Sequence, residues 1–192
     1  MRLILASTSP YRRALLDRLG LPYEAVAPRC DEEPLKTSGK PPEVVAAELA
    51  RAKAASVAAR YPDALVLGAD QLVDLDGEIL GKPGTCAAAE AQLRRLSGRT
   101  HRLLTAAALL APGGRWREVL DTHSMTLRAL SNDEIRRYVE RVAPLGCCGA
   151  YKIEGSGIAL FEAVEGRDFT AIMGLPLMGV SAALRAAGWA IP

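Results

Sequence analysis

Apolar runs of strand length alternate with helical segments along the whole chain, and this alternation limits the fold more than any other feature. The first run, Leu3–Ala6, is followed by Ser9 and Pro10, which favour the N-cap and the first turn of a helix. Similar signals predict strands at residues 23–27, 64–74, 102–111 and 116–127, and helices at 10–19, 43–60, from Thr85 to about 97, from Ser131 and after Pro176. The pattern predicts an α/β fold with a mixed sheet.

Local signals add detail between these elements. Ser131 and Glu134 have the spacing of a capping box, and Asp76-Gly77 indicates a turn. Residues 28–42 are polar and rich in proline, which predicts a loop. The tetrapeptide Gly68-Ala69-Asp70-Gln71 is expected to interrupt the third strand.

Length and charge exclude several functional classes. The 192 residues suit one large domain or a bilobed one, and the net charge of +2 is too small for a surface that coats nucleic acid. No apolar run approaches the ~20 residues that cross a bilayer, and the N-terminus lacks a signal-type apolar region, so a cytoplasmic protein without a membrane partner is expected. The two histidines and four cysteines lack metal-ligand spacing, which argues against zinc.

The first turn suggests an anion site. Two arginines, Arg12 and Arg13, lie in the helix that Ser9 and Pro10 open, and the free N–H groups of a helix start attract phosphate. Lysine is rare, with five among 24 basic residues, so Lys53 and Lys82 are candidates for positioned charges. Solvated arginines and an ordinary turn lysine are the alternatives.

Asp70 is the leading catalytic candidate because it follows a strongly apolar run. A carboxylate there is costly unless it is paired or bound to a metal. The cluster Asp31-Glu32-Glu33 offers more oxygen ligands, and oxygen ligands beside phosphate favour Mg²⁺ or Mn²⁺. In that interpretation Asp70 takes a proton from the attacking water. The alternative for Asp70 is a structural role in capping a nearby loop.

Eight ordered blocks resemble the Maf-like nucleoside triphosphate pyrophosphatases, and together they cover essentially the whole chain. The blocks are residues 5–13 (LASTSPYRR), Asp31-Glu32, 49–54 (LARAKA), 68–71 (GADQ), 77–83 (GEILGKP), 96–98 (LSG), 149–151 (GAY) and 174–177 (GLPL). One departure is Ala52, where many members have Glu before the lysine.

The resemblance implies one domain over residues 1–192, with an elongated mixed sheet of the inosine-triphosphatase type, flanking helices and a deep cleft between two lobes. It also implies hydrolysis of a nucleoside triphosphate to the monophosphate and diphosphate, with Mg²⁺, Mn²⁺ or Co²⁺. The implied proton acceptor is Asp70, the metal ligands are Glu32 and Asp70, and the substrate contacts are Ser7, Arg12 or Arg13, Lys53 and Lys82. A homodimer is expected on the same basis.

Three further positions indicate which base is bound. Tyr11, Gln71 and Glu154 resemble the 7-methyl-GTP branch of the family, whereas the dTTP/UTP branch has Arg, Thr and Gln there. An aromatic face suits the cationic N7-methylguanine, and a carboxylate can accept from its N1–H and exocyclic amine. The alternatives are a dTTP/UTP pyrophosphatase and a nucleotide-binding regulator of cell division; Tyr11 could also serve only helix packing, and Glu154 only a surface pair.

Overall fold

The computed structural model describes residues 1–191, which form seven strands, seven α-helices and two short 3-10 helices. The strands are β1 (Arg2–Ala6), β2 (Glu24–Ala25), β3 (Ala64–Leu75), β4 (Glu78–Leu80), β5 (Thr100–Leu110), β6 (Trp116–Leu127) and β7 (Phe161–Glu165). The helices are α1 (Pro10–Asp17), α2 (Glu33–Lys36), α3 (Pro42–Ala58), α4 (Cys86–Leu96), α5 (Asn132–Val142), α6 (Phe169–Ile172) and α7 (Leu177–Ala186). The 3-10 helices span Cys148–Ala150 and Ser156–Leu160. None of these helices is both long enough and apolar enough for a membrane crossing.

The strands form one mixed sheet in the order β2-β1-β3-β5-β6-β7, with β4 paired to β3. β1 runs parallel to β2 and β3, whereas β4 pairs with β3 and β7 pairs with β6 in the antiparallel sense. In the β1–β3 pairing, Leu3 lies opposite Leu65 and Ala6 lies opposite Gly68. The mixed α/β fold predicted from the sequence is therefore confirmed.

The chain divides into two compact units. The first unit contains Met1–Gln71, Thr105–Asp121 and the described residues from Asp168 onward, and the second contains Leu72–Leu104 and Thr122–Arg167. The single domain and the cleft expected from the resemblance stay predictions.

In the first unit, alternate residues of the strands pack against different helices. Leu3, Leu5 and Leu67 join a core with α1 and α7, whereas Ile4 and Val66 join a core with α3. Because strand side chains alternate between faces, this pattern places Gly68 and Asp70 on the α3 face and Gln71 on the opposite face.

In the second unit, α4 packs against α5 and against the 3-10 helix at Cys148–Ala150. Leu93 and Leu96 of α4 and Ile135 and Val139 of α5 are fully buried. The buried His101 and Tyr151 form an aromatic group with the partly buried Phe161, and the Tyr151 and Phe161 rings lie edge to face at 4.9 Å between centroids.

The local caps were predicted correctly. Ser9 caps α1 with Pro10 in its first turn, Thr85 caps α4, and Ser131 and Glu134 form the capping box of α5. These motifs depend on residues within one helical turn, which explains why the sequence alone identifies them.

Four details were wrong. β3 continues without interruption through Gly68 to Gln71, because Gly68 serves a close approach of α3 rather than a chain break. The loop at 28–42 contains α2. The strand at 23–27 shortens to Glu24–Ala25, and α1 ends at Asp17 rather than near Leu19, followed by Gly20 with φ of 64°.

Candidate active site

Asp70 and Lys53 form a buried ion pair in the first unit. The Lys53 Nζ donates a hydrogen bond to the Asp70 Oδ1, and the two residues are 7% and 6% exposed. Burial penalises each charge alone, so each needs the other in this environment. The prediction that Asp70 is a buried carboxylate that needs a partner is confirmed, and Lys53 supplies that partner.

The helical repeat of α3 explains why Lys53 is buried. Lys53 lies on the same helix face as Leu49, Ala50 and Val57, all of which are fully buried. Residues three and four apart share one side of a helix, and this side packs on the sheet. A lysine on an apolar stripe is a signal that the sequence already carries.

Glu32 is the second carboxylate on Lys53. Its Oε1 lies 2.9 Å from the Lys53 Nζ, and its Oε2 accepts from the Lys36 Nζ at 2.6 Å. Partial burial raises the pKa of Glu32, but the hydrogen bonds from Lys36 and Lys53 outweigh that effect and lower the pKa to about 2. Glu32 is therefore ionised at neutral pH.

Lys36 was missed as a site residue in the sequence analysis. It lies in α2, the helix that falls within the predicted loop, at the i,i+4 position relative to Glu32. That spacing brings the two side chains together on a helix surface. The spacing, combined with the rarity of lysine in this chain, is the signal that could have identified it.

Ser7 and the start of α1 lie at the same end of the sheet as Asp70. Ser7 follows Ala6, which pairs with Gly68 of the adjacent parallel strand, so Ser7 and Asp70 both lie beyond that paired position. Ser7 is 4% exposed, and its Oγ accepts from the Ser9 N–H at 3.1 Å. The helix start that suits phosphate therefore follows the end of β1, and the buried acid lies within β3, two residues past the position that pairs with Ala6.

The two arginines of α1 differ in their surroundings. The Arg12 Nε donates to the Gly174 carbonyl at 3.0 Å, which fixes part of its guanidinium. Arg13 is exposed, and its backbone carbonyl accepts from the Tyr23 hydroxyl at 3.2 Å. The structure thus holds Arg12 in place more firmly than Arg13, while a contact of either with phosphate stays a prediction.

Gln71 has a contact that sequence reasoning did not anticipate. Its amide nitrogen donates to the carbonyls of Ala171 and Ile172 at 2.8 and 3.0 Å and also lies 3.1 Å from the Thr105 Oγ1. The side chain therefore secures α6. Tyr11 is 40% exposed, so its ring is accessible in the first unit. Base recognition by these two residues stays a prediction.

A buried acid at the start of α6 connects α6 to α7. Asp168 is 3% exposed, and its carboxylate accepts from the Thr170 N–H at 3.0 Å and the Met178 N–H at 2.7 Å. Asp168 was not predicted as a site residue, although an Asp at the start of a short helix is a recognisable cap.

Lys82 and Glu154 lie in the second unit, and both are exposed. Burial raises the pKa of the Cys147 thiol; Lys152 and Lys82 act to lower it, and Glu154 acts to raise it. These three charged residues are therefore near enough to influence Cys147. The Lys152 N–H donates to the Tyr138 hydroxyl at 2.9 Å, which fixes the segment leading to Glu154.

The carboxylates present fit a metal that the substrate helps to coordinate. Within residues 1–191, no group of three or more His, Cys, Asp or Glu side chains is arranged to hold a metal ion. Glu32 and Asp70 are nevertheless both within reach of one ammonium group. Mg²⁺ is commonly bound by one or two carboxylates together with substrate phosphates and water, and this pair of acids suits that mode.

Comparison with known proteins identifies relatives along the entire chain. The model of a family described as Maf-like protein matches residues 2–187. A protein of Xanthomonas oryzae pv. oryzae named 7-methyl-GTP pyrophosphatase is 50% identical over 191 residues, covering 100% of this chain and 99% of the relative. A protein of Aromatoleum aromaticum with the same name is 48% identical over 192 residues, covering 100% and 98%.

A solved structure supports the fold. The crystal structure of a nucleoside-triphosphatase, a dITP/XTP pyrophosphatase from Mycobacterium abscessus, matches with a TM-score of 0.51 and 18% identity. The match covers 98% of this chain and 95% of that chain. At this identity the likeness speaks for the fold alone.

Proposed function

This chain belongs to the Maf-like protein family, and we propose that it hydrolyses 7-methyl-GTP to 7-methyl-GMP and diphosphate. The observation that carries the chemistry is the buried Lys53–Asp70 pair, in which Asp70 lies on β3 two residues past the partner of Ala6, where β1 ends and leads to α1. The relatives are named 7-methyl-GTP pyrophosphatase, which agrees with the hydrolase activity and the substrate predicted from the sequence.

Asp70 acts as the general base in this proposal. A water oxygen adds to a phosphorus of the anhydride that joins the α and β phosphates, and one water proton passes to the Asp70 carboxylate. The bond from the attacked phosphorus to the bridging oxygen breaks, and the group that keeps this oxygen leaves with the electron pair. That group is diphosphate for attack at the α phosphorus and 7-methyl-GMP for attack at the β phosphorus. Lys53 holds the Asp70 carboxylate in position, and its charge stabilises the negative charge that develops nearby.

Several side chains would bind the triphosphate and the metal. The N–H groups at the start of α1, with Ser7, Arg12, Arg13 and Lys82, would neutralise the phosphates. Glu32 and Asp70 would hold a divalent cation, which when bound would polarise the phosphate oxygens. The Asp70 Oδ2 could face a metal while Oδ1 stays on Lys53, whereas the two Glu32 oxygens are bound to Lys53 and Lys36, so Glu32 would share or exchange one of these contacts.

The base would be recognised through its positive charge. N7-methylguanine is a cation, so the Tyr11 ring would attract it, and Glu154 would accept from its N1–H and exocyclic amine. Uracil and thymine lack both the charge and this pair of donors. Gln71 would contribute by holding α6, through the two carbonyls that its amide contacts. A homodimer and a cytoplasmic location also stay predictions.

The test is diphosphate release from a panel of 7-methyl-GTP, GTP, UTP and dTTP with Mg²⁺, Mn²⁺ or Co²⁺. We expect 7-methyl-GTP to have a kcat/KM at least about tenfold above UTP and dTTP, which corresponds to about 1.4 kcal/mol. Glu154→Gln should reduce that preference, whereas Glu140→Gln, at an exposed position of α5, should not. Preference for UTP or dTTP would support the other branch, and binding without hydrolysis of any triphosphate would support a regulator.

A further inference from the structure

Gly68 lies on β3 two residues before Asp70, and its side-chain position is occupied by α3. A Cβ at Gly68 would lie 2.3 Å from the Ala50 carbonyl oxygen and 2.6 Å from the Ala54 nitrogen. Contacts below 3.0 Å essentially do not occur, so the helix and the strand can be this close only without a side chain here. The φ of Gly68 is not in the left-handed region, so the close approach is what requires glycine.

The two crowded atoms belong to the helical turn that carries Lys53. Lys53 lies between Ala50 and Ala54 in the sequence, and its ammonium group contacts both Asp70 and Glu32. Gly68 and Asp70 are two residues apart and therefore project toward the same helix. The distance between α3 and β3 at Gly68 thus also sets how far the Lys53 side chain must reach.

We infer that Gly68 is a positioning residue for the reaction, and that its missing side chain holds Lys53 at Asp70; this rests on the proposed function. Because the blocking atoms are backbone atoms, they cannot rotate away as a flexible side chain can. Any side chain at position 68 must push the turn at 50–54 outward by roughly an ångström. A displacement of that size near reacting groups can reduce the rate by about 10²-fold.

Gly179 provides a control that distinguishes a positioning role of Gly68 from ordinary packing. A Cβ at Gly179, in α7, would lie 2.3 Å from the Val119 Cγ1, so Gly179→Ala also crowds the first unit, against a side chain rather than against backbone. The hydrogen bond and ion pairs that join Lys53 to Asp70 and Glu32 involve neither Gly179 nor Val119. The two alanine variants should therefore both lower the midpoint of thermal unfolding, while only Gly68→Ala reduces turnover.

The decisive experiment is a double-mutant cycle between Gly68→Ala and Lys53→Ala in the full chain, with diphosphate release as the readout. We expect Gly68→Ala to lower kcat by about 10- to 100-fold with KM within about threefold, and Gly179→Ala to leave kcat within about threefold. In the Lys53→Ala background, Gly68→Ala should change kcat by less than about threefold, because the group that it displaces is gone. An equal loss in both backgrounds would overturn the inference.

Two further arms keep the outcome clear. If circular dichroism shows that Gly68→Ala is unfolded at the assay temperature, all four proteins of the cycle are assayed at a lower temperature at which this variant is folded. If the unmodified protein does not hydrolyse 7-methyl-GTP, the proposed substrate is wrong, and the cycle is measured with whichever triphosphate of the panel it does hydrolyse. Additive losses in either arm would again refute a role for Gly68 through Lys53.

Discussion

β3 carries two buried aspartates, one in each unit, and their partners differ. Asp70 is 6% exposed and shares the Lys53 ammonium with Glu32, whereas Asp74 is 2% exposed and belongs to the second unit. The Asp74 Oδ1 accepts from the Gly77 N–H at 2.7 Å, and its Oδ2 accepts from the Arg102 Nε at 2.6 Å. Asp74 therefore has the structural, turn-stabilising role that was the alternative for Asp70.

Residue type and burial do not distinguish these two acids, but their hydrogen bonds do. The Asp74 Oδ1 accepts from the N–H of Gly77, in the turn at Asp76-Gly77, and its Oδ2 is bound by Arg102. Asp70 instead lies in a row of alternating charges formed by Lys36, Glu32, Lys53 and Asp70. A buried carboxylate whose partners are charged side chains rather than the backbone of a turn is a candidate for a role in catalysis.

The second unit also contains a buried polar pair without charge. The His101 Nε2 lies 2.9 Å from the Tyr151 hydroxyl, and both residues are almost fully buried. Burial lowers the pKa of His101 to about 4, against an opposing effect of Asp74, and burial also raises the pKa of Tyr151. Both groups are neutral at physiological pH, which suits a structural role for the His101–Tyr151 pair.

The comparison of the two aspartates is tested most strongly by their amide variants. Asp70→Asn should lower kcat for diphosphate release by about 10³-fold, because an amide cannot accept the proton from water. Asp74→Asn should leave kcat within about fivefold. Equal losses in the two variants, with both proteins folded by circular dichroism, would show that burial rather than chemistry explains the loss.

The buried His101 should make the stability of the protein depend on pH. Between about pH 6.5 and 4 the unfolded chain binds a proton at His101 that the folded chain does not, so the free energy of unfolding falls as pH decreases through this window. The shift corresponds to about 3 kcal/mol. The measurement is urea unfolding at pH 7 and pH 4.5 for the protein and for His101→Gln. The free energy of unfolding should decrease less between these two pH values in His101→Gln than in the unmodified protein. Identical pH dependence would exclude His101 as a source.

Asp74→Asn should also reduce stability, by about 2 kcal/mol, because a hydrogen bond to a charged group contributes about 1.5–3 kcal/mol. Asp70→Asn should change the free energy of unfolding less than Asp74→Asn, since Lys53 keeps Glu32 as a partner. Urea unfolding at pH 7 measures both. The opposite order would mean that the Lys53 cluster stabilises the fold more than the turn does.

Matched helix caps give the smallest effect. Ser9→Ala in the first unit and Thr85→Ala in the second each remove a side-chain acceptor from a helix start and should cost about 1 kcal/mol of stability. Only Ser9→Ala should also raise KM for the nucleotide, because α1 is the proposed phosphate site. Nucleotide titrations that show the same KM for both variants would argue against that site.

The alternation of strands and helices, the caps at Ser9, Thr85 and Ser131, the family and the candidate acid Asp70 could all be predicted from the residues alone. These features depend on neighbouring residues or on ordered motifs, which a single chain displays directly. The contacts that join Lys53 to Glu32 and Asp70, Lys36 to Glu32, Gln71 to α6 and Gly68 to α3 are visible only in the folded protein. Those contacts join segments that the chain keeps apart, and packing fixes them through the distance between a helix and a strand, which local propensity does not specify.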